Sequence, residues 1–223
     1  MIKKIFCSLM AVITFMFAGC TESVDPVLED PEMQEMIIEE IYELLEEDKT
    51  SEESYNMIQG TSDKDFVYCR DFLDYYNGAC VPVAIINNMK ILEDTQGIDI
   101  IESNETDRDL YKELVKTCKT ERDGSTIISD MLEGIQETFY DRNIDLEVSY
   151  FEYDIFDNIK KEIDNNKPLI MGDTKEGIEH AYTVIGYTED ATGKYVITFT
   201  GWVESPYETV KLDEENQIFV YYK

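Results

Sequence analysis

Histidine, tryptophan and basic residues are scarce in this sequence. The 223 residues include one His and one Trp, and 19 Lys and Arg residues stand against 49 Asp and Glu residues, which gives a formal net charge of −30 at pH 7. A single His excludes a metal site that needs two imidazole ligands, and it confines all histidine acid–base chemistry to His180. The acidic balance argues against nucleic acid and anionic lipid headgroups as partners, because both would be repelled.

Apolar residues are nevertheless plentiful. Hydrophobic residues make up 43% of the chain and aromatic residues 12%, so the sequence has enough apolar side chain to form a core and is not a disordered acidic tail. The length suits one domain with an appended segment. Fifteen Tyr residues favour packed β structure over a helical bundle.

The N-terminus has the pattern of an export signal. Lys3 and Lys4 precede an apolar run from Ile5 to Phe17, which is shorter than the run of about 20 apolar residues that a permanent membrane span requires. A segment of this kind is removed from the mature protein. We therefore expect residues 1–19 to be a signal peptide.

The end of this run indicates where the signal is cut. Phe17-Ala18-Gly19-Cys20 resembles the lipobox of bacterial lipoproteins, with Phe17 in place of the usual Leu. The resemblance implies cleavage before Cys20 and lipidation of its thiol; an ordinary secretory signal with a chance Cys is the alternative. Lipidated in this way, the protein is expected outside the cytoplasm, anchored to a bacterial membrane or cell surface by its acyl chains alone.

The cysteine count is informative about the exported part. Cys7 leaves with the signal and Cys20 is acylated, so Cys69, Cys80 and Cys118 remain. Three is an odd number, so at least one thiol is unpaired or a bond forms between chains. An unpaired thiol in an oxidising compartment is a liability unless it is buried or used. A Cys69–Cys118 disulfide with Cys80 free is one arrangement, and the sequence alone does not decide it.

Residues 20–65 are expected to form a lipidated acidic tether, and residues 66–223 the folded domain. Within the tether, apolar residues recur at three- and four-residue spacing from Met33 to Leu45, with glutamates on the other face, which predicts an amphipathic helix. Packing against its own domain is the default role of such a helix. A short inhibitory prosegment or a partner-binding helix is the alternative.

The domain is predicted to contain mainly helices in its first half and strands in its second. Apolar spacing and turn residues predict helices over 80–92, 107–118, 126–140 and 154–165. Alternation and short apolar runs predict strands over 145–151, 168–172, 179–188, 194–200, 207–212 and 217–222, with a hairpin near 190–193. This order is typical of an α+β fold with an antiparallel sheet.

A candidate nucleophile stands at the start of the first of these helices. Asn77-Gly78-Ala79-Cys80 places a cysteine directly after a glycine turn, and Pro82 suits a first helical turn. A thiol at a helix N-terminus is close to the positive end of the helix dipole, which favours thiolate. The free N–H groups of that turn also face an oxyanion that forms on a substrate. A buried structural thiol is the alternative for Cys80.

A candidate general base lies 100 residues later. His180 stands at the start of a predicted strand, in Glu179-His180-Ala181, and a strand is a rigid support for a catalytic side chain. A strand histidine whose hydrogen bonds are satisfied within the fold is the alternative.

Together these motifs resemble the papain-like cysteine peptidases, and the bacterial branch related to bacteriocin-processing peptidases is the most similar. The resemblance covers about residues 66–212 and rests on Cys-x-Pro-x-Ala at Cys80, Lys167-Pro168-Leu169-Ile170, and His180-Ala181 with Val184-Ile185-Gly186-Tyr187. It implies a papain-like fold, with a helical subdomain followed by an antiparallel β-sheet subdomain. It also implies that the Cys80 thiolate attacks a peptide carbonyl while His180 is the general base.

Two positions depart from the family pattern. The family often has a Gln shortly before the Cys for the oxyanion hole, but Asp74 stands six residues before Cys80. Asn77 is the nearest amide that could replace the Gln, and the N–H of Cys80 is the second candidate donor to the oxyanion. The family also has an Asn or Asp on the strand after the His, where this chain has Thr200. A Thr hydroxyl accepts a hydrogen bond from an imidazole N–H but supplies no charge to an imidazolium.

The resemblance implies a cysteine-dependent peptidase that acts on extracytoplasmic peptides or proteins, with no metal or organic cofactor and no defined oligomeric state. Asp74 and Thr200 favour the alternative, an inactive papain-like module that binds a peptide or protein partner in the same cleft. A lowered pKa of Cys80 is expected of the enzyme, and an ordinary or raised one of the binding module. A third interpretation is an amidase or acyltransferase that uses the same pair of residues on a non-peptide amide.

Overall fold

The computed structural model describes residues 55–59, 66–75, 79–173, 180–202 and 207–223. Several sequence-based predictions lie outside the described residues: the signal peptide over 1–19, lipidation at Cys20, the helix over 33–45 and the oxyanion role of Asn77. The chain from residue 79 onward carries most of the regular structure.

Four α-helices occur in the described part of the chain: α1 (Cys80–Gln96), α2 (Asp107–Thr117), α3 (Ile128–Asp141) and α4 (Ile155–Asp164). Helix α1 ends where Gly97 adopts a left-handed conformation with φ of 66°, which glycine tolerates best. Helix α2 begins after Thr106, whose hydroxyl accepts a hydrogen bond from the Asp109 N–H, as an N-cap residue does. None of these described helices is both long and apolar enough to cross a membrane.

The other described elements are seven strands and a short 3₁₀ helix (Cys69–Phe72), which lies between the first strand and α1 in the chain. The strands are β1 (Asn56–Met57), β2 (Val148–Tyr150), β3 (Leu169–Gly172), β4 (Ala181–Asp190), β5 (Gly193–Phe199), β6 (Tyr207–Lys211) and β7 (Ile218–Tyr222). They form one antiparallel sheet in the order β2-β7-β3-β4-β5-β6, and β1 pairs with β4. The predicted α+β fold with an antiparallel sheet is confirmed.

The first strand lies N-terminal to the predicted domain boundary at residue 66. Asn56 and Met57 pair with Tyr187 and Gly186 of β4, and the following Ile58 is buried among core residues of the sheet. The sheet therefore includes residues from the segment that the sequence assigns to the tether.

Helix α1 is the centre of the helical half. Almost all of its side chains from Cys80 to Leu92 are buried, as expected of a helix that is apolar on every side. It packs against both β4 and α2. Thr183 of β4 donates its hydroxyl to the Ala84 carbonyl at 3.3 Å, so the N-terminal half of α1 is fixed directly on the strand that follows His180.

A buried asparagine attaches the segment over 66–75 to α1. The Oδ1 of Asn87 accepts from the Val67 N–H at 2.9 Å and its Nδ2 donates to the Val67 carbonyl at 3.1 Å. Two residues further on, the Cys69 N–H donates to the Gly201 carbonyl at 2.9 Å. This segment thus connects α1 with the end of β5, and buried backbone groups are paired where the two halves meet.

The three cysteines of the domain are free and buried, so the Cys69–Cys118 disulfide is not formed. Burial raises the pKa of the Cys69 and Cys118 thiols to about 12. Thiols of this kind react slowly because little thiolate is present. Burial is therefore how the domain protects two of its three thiols.

Candidate active site

Cys80 is the first residue of α1, and its side chain is buried with 9% exposure. Its Sγ accepts a hydrogen bond from the main-chain N–H of Ala181 at 3.3 Å. The N–H groups of Cys80 and Val81 also act on the sulfur. Pro82 has no N–H, so the N–H groups at the very start of α1 are those of Cys80 and Val81, next to the sulfur.

Tyr111 holds the backbone that leads into Cys80. Its Oη accepts from the Ala79 N–H at 2.7 Å and lies 3.4 Å from the Tyr75 carbonyl. The Tyr111 ring stacks on Phe72 with the ring centroids 4.1 Å apart. Helix α2 therefore contributes to the position of the nucleophile through one hydroxyl group.

His180 immediately precedes β4, and its Nε2 lies 2.9 Å from the main-chain oxygen of Thr200. The sequence predicts a contact through the Thr200 hydroxyl, but the contact that the structure shows uses the carbonyl. The Thr200 hydroxyl instead accepts from the Trp202 N–H at 3.0 Å. The reason is that the chain turns at Gly201, where φ is 76°, and this turn brings the Trp202 N–H back over the Thr200 side chain.

The Thr200 carbonyl determines which imidazole nitrogen is basic. A carbonyl only accepts hydrogen bonds, so Nε2 carries the proton and Nδ1 keeps its lone pair. The Trp202 ring stacks on the imidazole at a centroid distance of 5.7 Å, and the Tyr182 ring meets it edge to face at 4.5 Å. His180 is thereby held in one tautomer and enclosed by two aromatic rings.

Burial favours the neutral form of both groups. It raises the pKa of the Cys80 thiol, although the N–H groups of Ala181, Cys80 and Val81 act in the opposite direction. It lowers the pKa of His180, against the Thr200 carbonyl and the carboxylates of Asp173 and Glu208. The helix N-terminus thus stabilises the thiolate as the sequence suggests, but loss of hydration outweighs it. Both shifts favour a thiol and a neutral imidazole in the resting site.

Asp74 does not present a free charge to the site. Its carboxylate is 68% exposed and forms two hydrogen bonds with the Arg108 guanidinium, at 2.8 and 3.0 Å. Arg108 holds the pKa of Asp74 below its usual range. The negative charge that would oppose an oxyanion is therefore compensated by Arg108. Among the described residues, the N–H groups of Cys80 and Val81 lie at this end of α1 and act on the Cys80 sulfur.

The site residues that the sequence reasoning missed include Asp173 and Ala181. Asp173 follows β3 and accepts from the His180 N–H, and Ala181 contacts the sulfur. The antiparallel pairing of the two predicted strands was the available signal, since it places residue 173 opposite residue 180. Within the described ranges, no cluster of three or more His, Cys, Asp or Glu side chains is arranged to hold a metal ion.

A comparison with known protein families matches most of the domain. The model described as the Peptidase_C39 like family matches residues 65–221, which is more than half of the chain. The matched range includes Cys80, His180 and Thr200. No curated protein sequence matches the chain.

Proposed function

The chain belongs to the Peptidase_C39-like family, and from this premise we propose that it is a cysteine-dependent peptidase with Cys80 as nucleophile and His180 as general base. One observation carries the proposal: the Ala181 N–H donates to the Cys80 Sγ. That hydrogen bond brings the sulfur next to the residue that follows the only histidine of the chain. Nucleophile and base within one small site is the arrangement that covalent catalysis requires.

The first step starts from the neutral pair. The Cys80 Sγ attacks the carbonyl carbon of the scissile peptide bond while its proton moves to Nδ1 of His180. The carbonyl oxygen becomes an oxyanion, and the N–H groups of Cys80 and Val81 donate to it. The hydrogen bond from Nε2 to the Thr200 carbonyl fixes the orientation of the imidazole ring, so Nδ1 remains available to accept the proton.

The second step releases the products. The imidazolium of His180 gives its Nδ1 proton to the leaving amine as the carbon–nitrogen bond breaks, which leaves a thioester on Cys80. Water then attacks the thioester carbonyl, with His180 taking a proton from the water. The carbon–sulfur bond breaks and the sulfur takes a proton from the His180 imidazolium, so the site returns to its neutral state. The carboxylic acid product leaves and loses its proton to solvent.

We further propose that the substrates are extracytoplasmic peptides or proteins. The support is the N-terminal sequence, which has a signal-like apolar run and the lipobox-like residues before Cys20. A lipid on Cys20 would hold the domain at a membrane surface through acyl chains alone. The relation to the bacteriocin-processing branch stays a prediction from the motifs.

Two observations favour the second candidate, an inactive module that binds peptides. The pKa of Cys80 is raised by burial, and the group that contacts Nε2 is the Thr200 carbonyl, which lacks the negative charge that an Asp at this place in the family would carry. Both features slow thiolate formation. The module would bind an extended peptide in the site without cleaving it.

The test combines turnover with thiol labelling. A peptide library is incubated with the wild type, Cys80→Ala and His180→Ala, with Cys118→Ala as a matched control for loss of a buried thiol, and the products are identified by mass spectrometry. We expect cleavage by the wild type and Cys118→Ala only, and faster iodoacetamide labelling at Cys80 than at Cys69 or Cys118. Peptide binding without cleavage, equal in the wild type and Cys80→Ala, would establish the binding module instead. Products from non-peptide amides would indicate the amidase.

A further inference from the structure

Asp173 closes the ladder between β3 and β4 at the point where the catalytic histidine stands. The last registered pair of these strands is Gly172 with Ala181. One residue further, the Asp173 N–H donates to the His180 carbonyl at 3.2 Å. The His180 N–H donates to the Asp173 side-chain Oδ1 at 3.0 Å. Both main-chain polar groups of His180 are thus bound by one residue, and one of these bonds is made by a carboxylate.

The carboxylate of Asp173 also supplies a negative charge close to the imidazole. When Nδ1 of His180 takes the proton of Cys80, the ring becomes an imidazolium, and a fixed negative charge nearby stabilises it. The Thr200 carbonyl on Nε2 contributes a dipole but no charge. The carboxylate of Asp173 also acts on the imidazole through its charge.

We infer that Asp173 is a positioning residue for the proposed reaction. Its carboxylate fixes the main chain of His180 and supplies the negative charge that an Asp on the strand after the His would supply in a full triad. This inference rests on the proposed peptidase function. It assigns to one side chain a mechanical and an electrostatic role, and the two are separable by substitution.

The other groups that face His180 define the controls. Glu208 of β6 also acts on the imidazole through its charge, Tyr182 lies on the same strand, and the Cys80 thiol lies at the start of α1. The Glu208 side chain is exposed, so water and salt screen its charge. Asp173 alone among the described carboxylates is hydrogen-bonded to His180 in the structure.

The sign of the effect follows from the chemistry of the two groups. A carboxylate favours the charged imidazolium and disfavours the charged thiolate, so Asp173 raises the pKa of both His180 and Cys80. Asp173→Asn keeps an oxygen that accepts from the His180 N–H but removes the charge. Both limbs of the pH profile of kcat/KM should therefore move to lower pH in this variant.

The experiment uses the single histidine of the chain, which gives one Cε1–H signal in the proton NMR spectrum. The pH titration of this signal is recorded for the wild type, Asp173→Asn, Asp173→Ala and Glu208→Gln, with Asp141→Asn as an exposed control that changes net charge equally. Peptide hydrolysis is measured in parallel, and urea unfolding establishes that each variant is folded.

In Asp173→Asn we expect the titration midpoint of His180 to fall, with kcat lowered about tenfold and KM little changed. Asp173→Ala should lose up to about 100-fold in kcat, because the ring is also displaced. Glu208→Gln should produce a smaller shift, and Asp141→Asn none. An unchanged midpoint in a folded Asp173→Asn overturns the inference. A lowered midpoint in a protein that cleaves no peptide establishes the hold of Asp173 on His180 and overturns the peptidase proposal instead.

Discussion

The main-chain N–H of Ala181 donates to the Sγ of Cys80 at 3.3 Å, across 101 residues of sequence. This contact joins the helical half of the domain to its sheet at the sulfur atom itself. It also stabilises a thiolate, but it does so inside a site where burial raises the thiol pKa. The sulfur is therefore held in place before it is ionised, and ionisation depends on His180.

The first prediction concerns the pH dependence of Cys80 alkylation. Iodoacetamide reacts with thiolate, and burial raises the pKa of Cys80 above its ordinary value of 9.0. We expect the labelling rate of Cys80 in the free protein to be still rising above pH 9, when followed by mass spectrometry of the peptide that contains it. A rate that is already constant near pH 7 would show a resting thiolate and contradict the neutral pair.

The second prediction isolates one hydroxyl group. Tyr111→Phe keeps the ring that stacks on Phe72 but removes the acceptor of the Ala79 N–H. A buried donor is left unpaired, so urea unfolding should show a loss of about 1–3 kcal/mol, and peptide hydrolysis should slow because the start of α1 loosens. Tyr140→Phe is the control, since Tyr140 is 79% exposed and its substitution should stay within about 0.5 kcal/mol. Equal stability of the two variants would contradict the role given to Tyr111.

The third prediction distinguishes the hydroxyl of Thr200 from its carbonyl. Thr200→Val removes the acceptor of the Trp202 N–H but keeps the carbonyl on Nε2 of His180. Stability should fall by about 0.5–1.5 kcal/mol, while kcat/KM stays within about threefold of the wild type. A loss of about 100-fold or more in kcat/KM, with little loss of stability, would instead assign the orientation of His180 to the hydroxyl.

Local patterns predicted the secondary structure well. The apolar positions after Cys80 and the fit of Pro82 to a first turn predicted α1, and alternation predicted β4 and β5 with their hairpin. The strand Asn56–Met57 was missed because two residues carry no periodicity. A sequence pattern predicts only those elements that are long enough for the alternation of apolar and polar residues to recur.

The candidate site was predicted less completely. Residue types and position pointed to Cys80 and His180, and the family resemblance pointed to Thr200. Which atom of Thr200 meets the ring depends on the turn at Gly201. The rise in the Cys80 pKa could not be predicted either, because the helix start favours thiolate and only packing from distant segments removes the water. Asp173 contacts His180 because of the register in which β3 and β4 pair, and the sequence of one strand alone does not determine that register.

The fourth prediction concerns acid stability. Arg142 is 8% exposed and binds Glu105, 10% exposed, and Glu113; it holds the pKa of Glu105 below its ordinary value of 4.5. This stabilisation is present above that value and is lost as the pH falls through the lowered pKa. Arg142→Gln should cost about 3 kcal/mol at pH 7 in urea unfolding, and the difference from the wild type should shrink below about pH 4. Arg108→Gln breaks the exposed pair with Asp74 and should cost less than about 1 kcal/mol; equal losses in both variants would mean that net charge, not the buried pair, sets the effect.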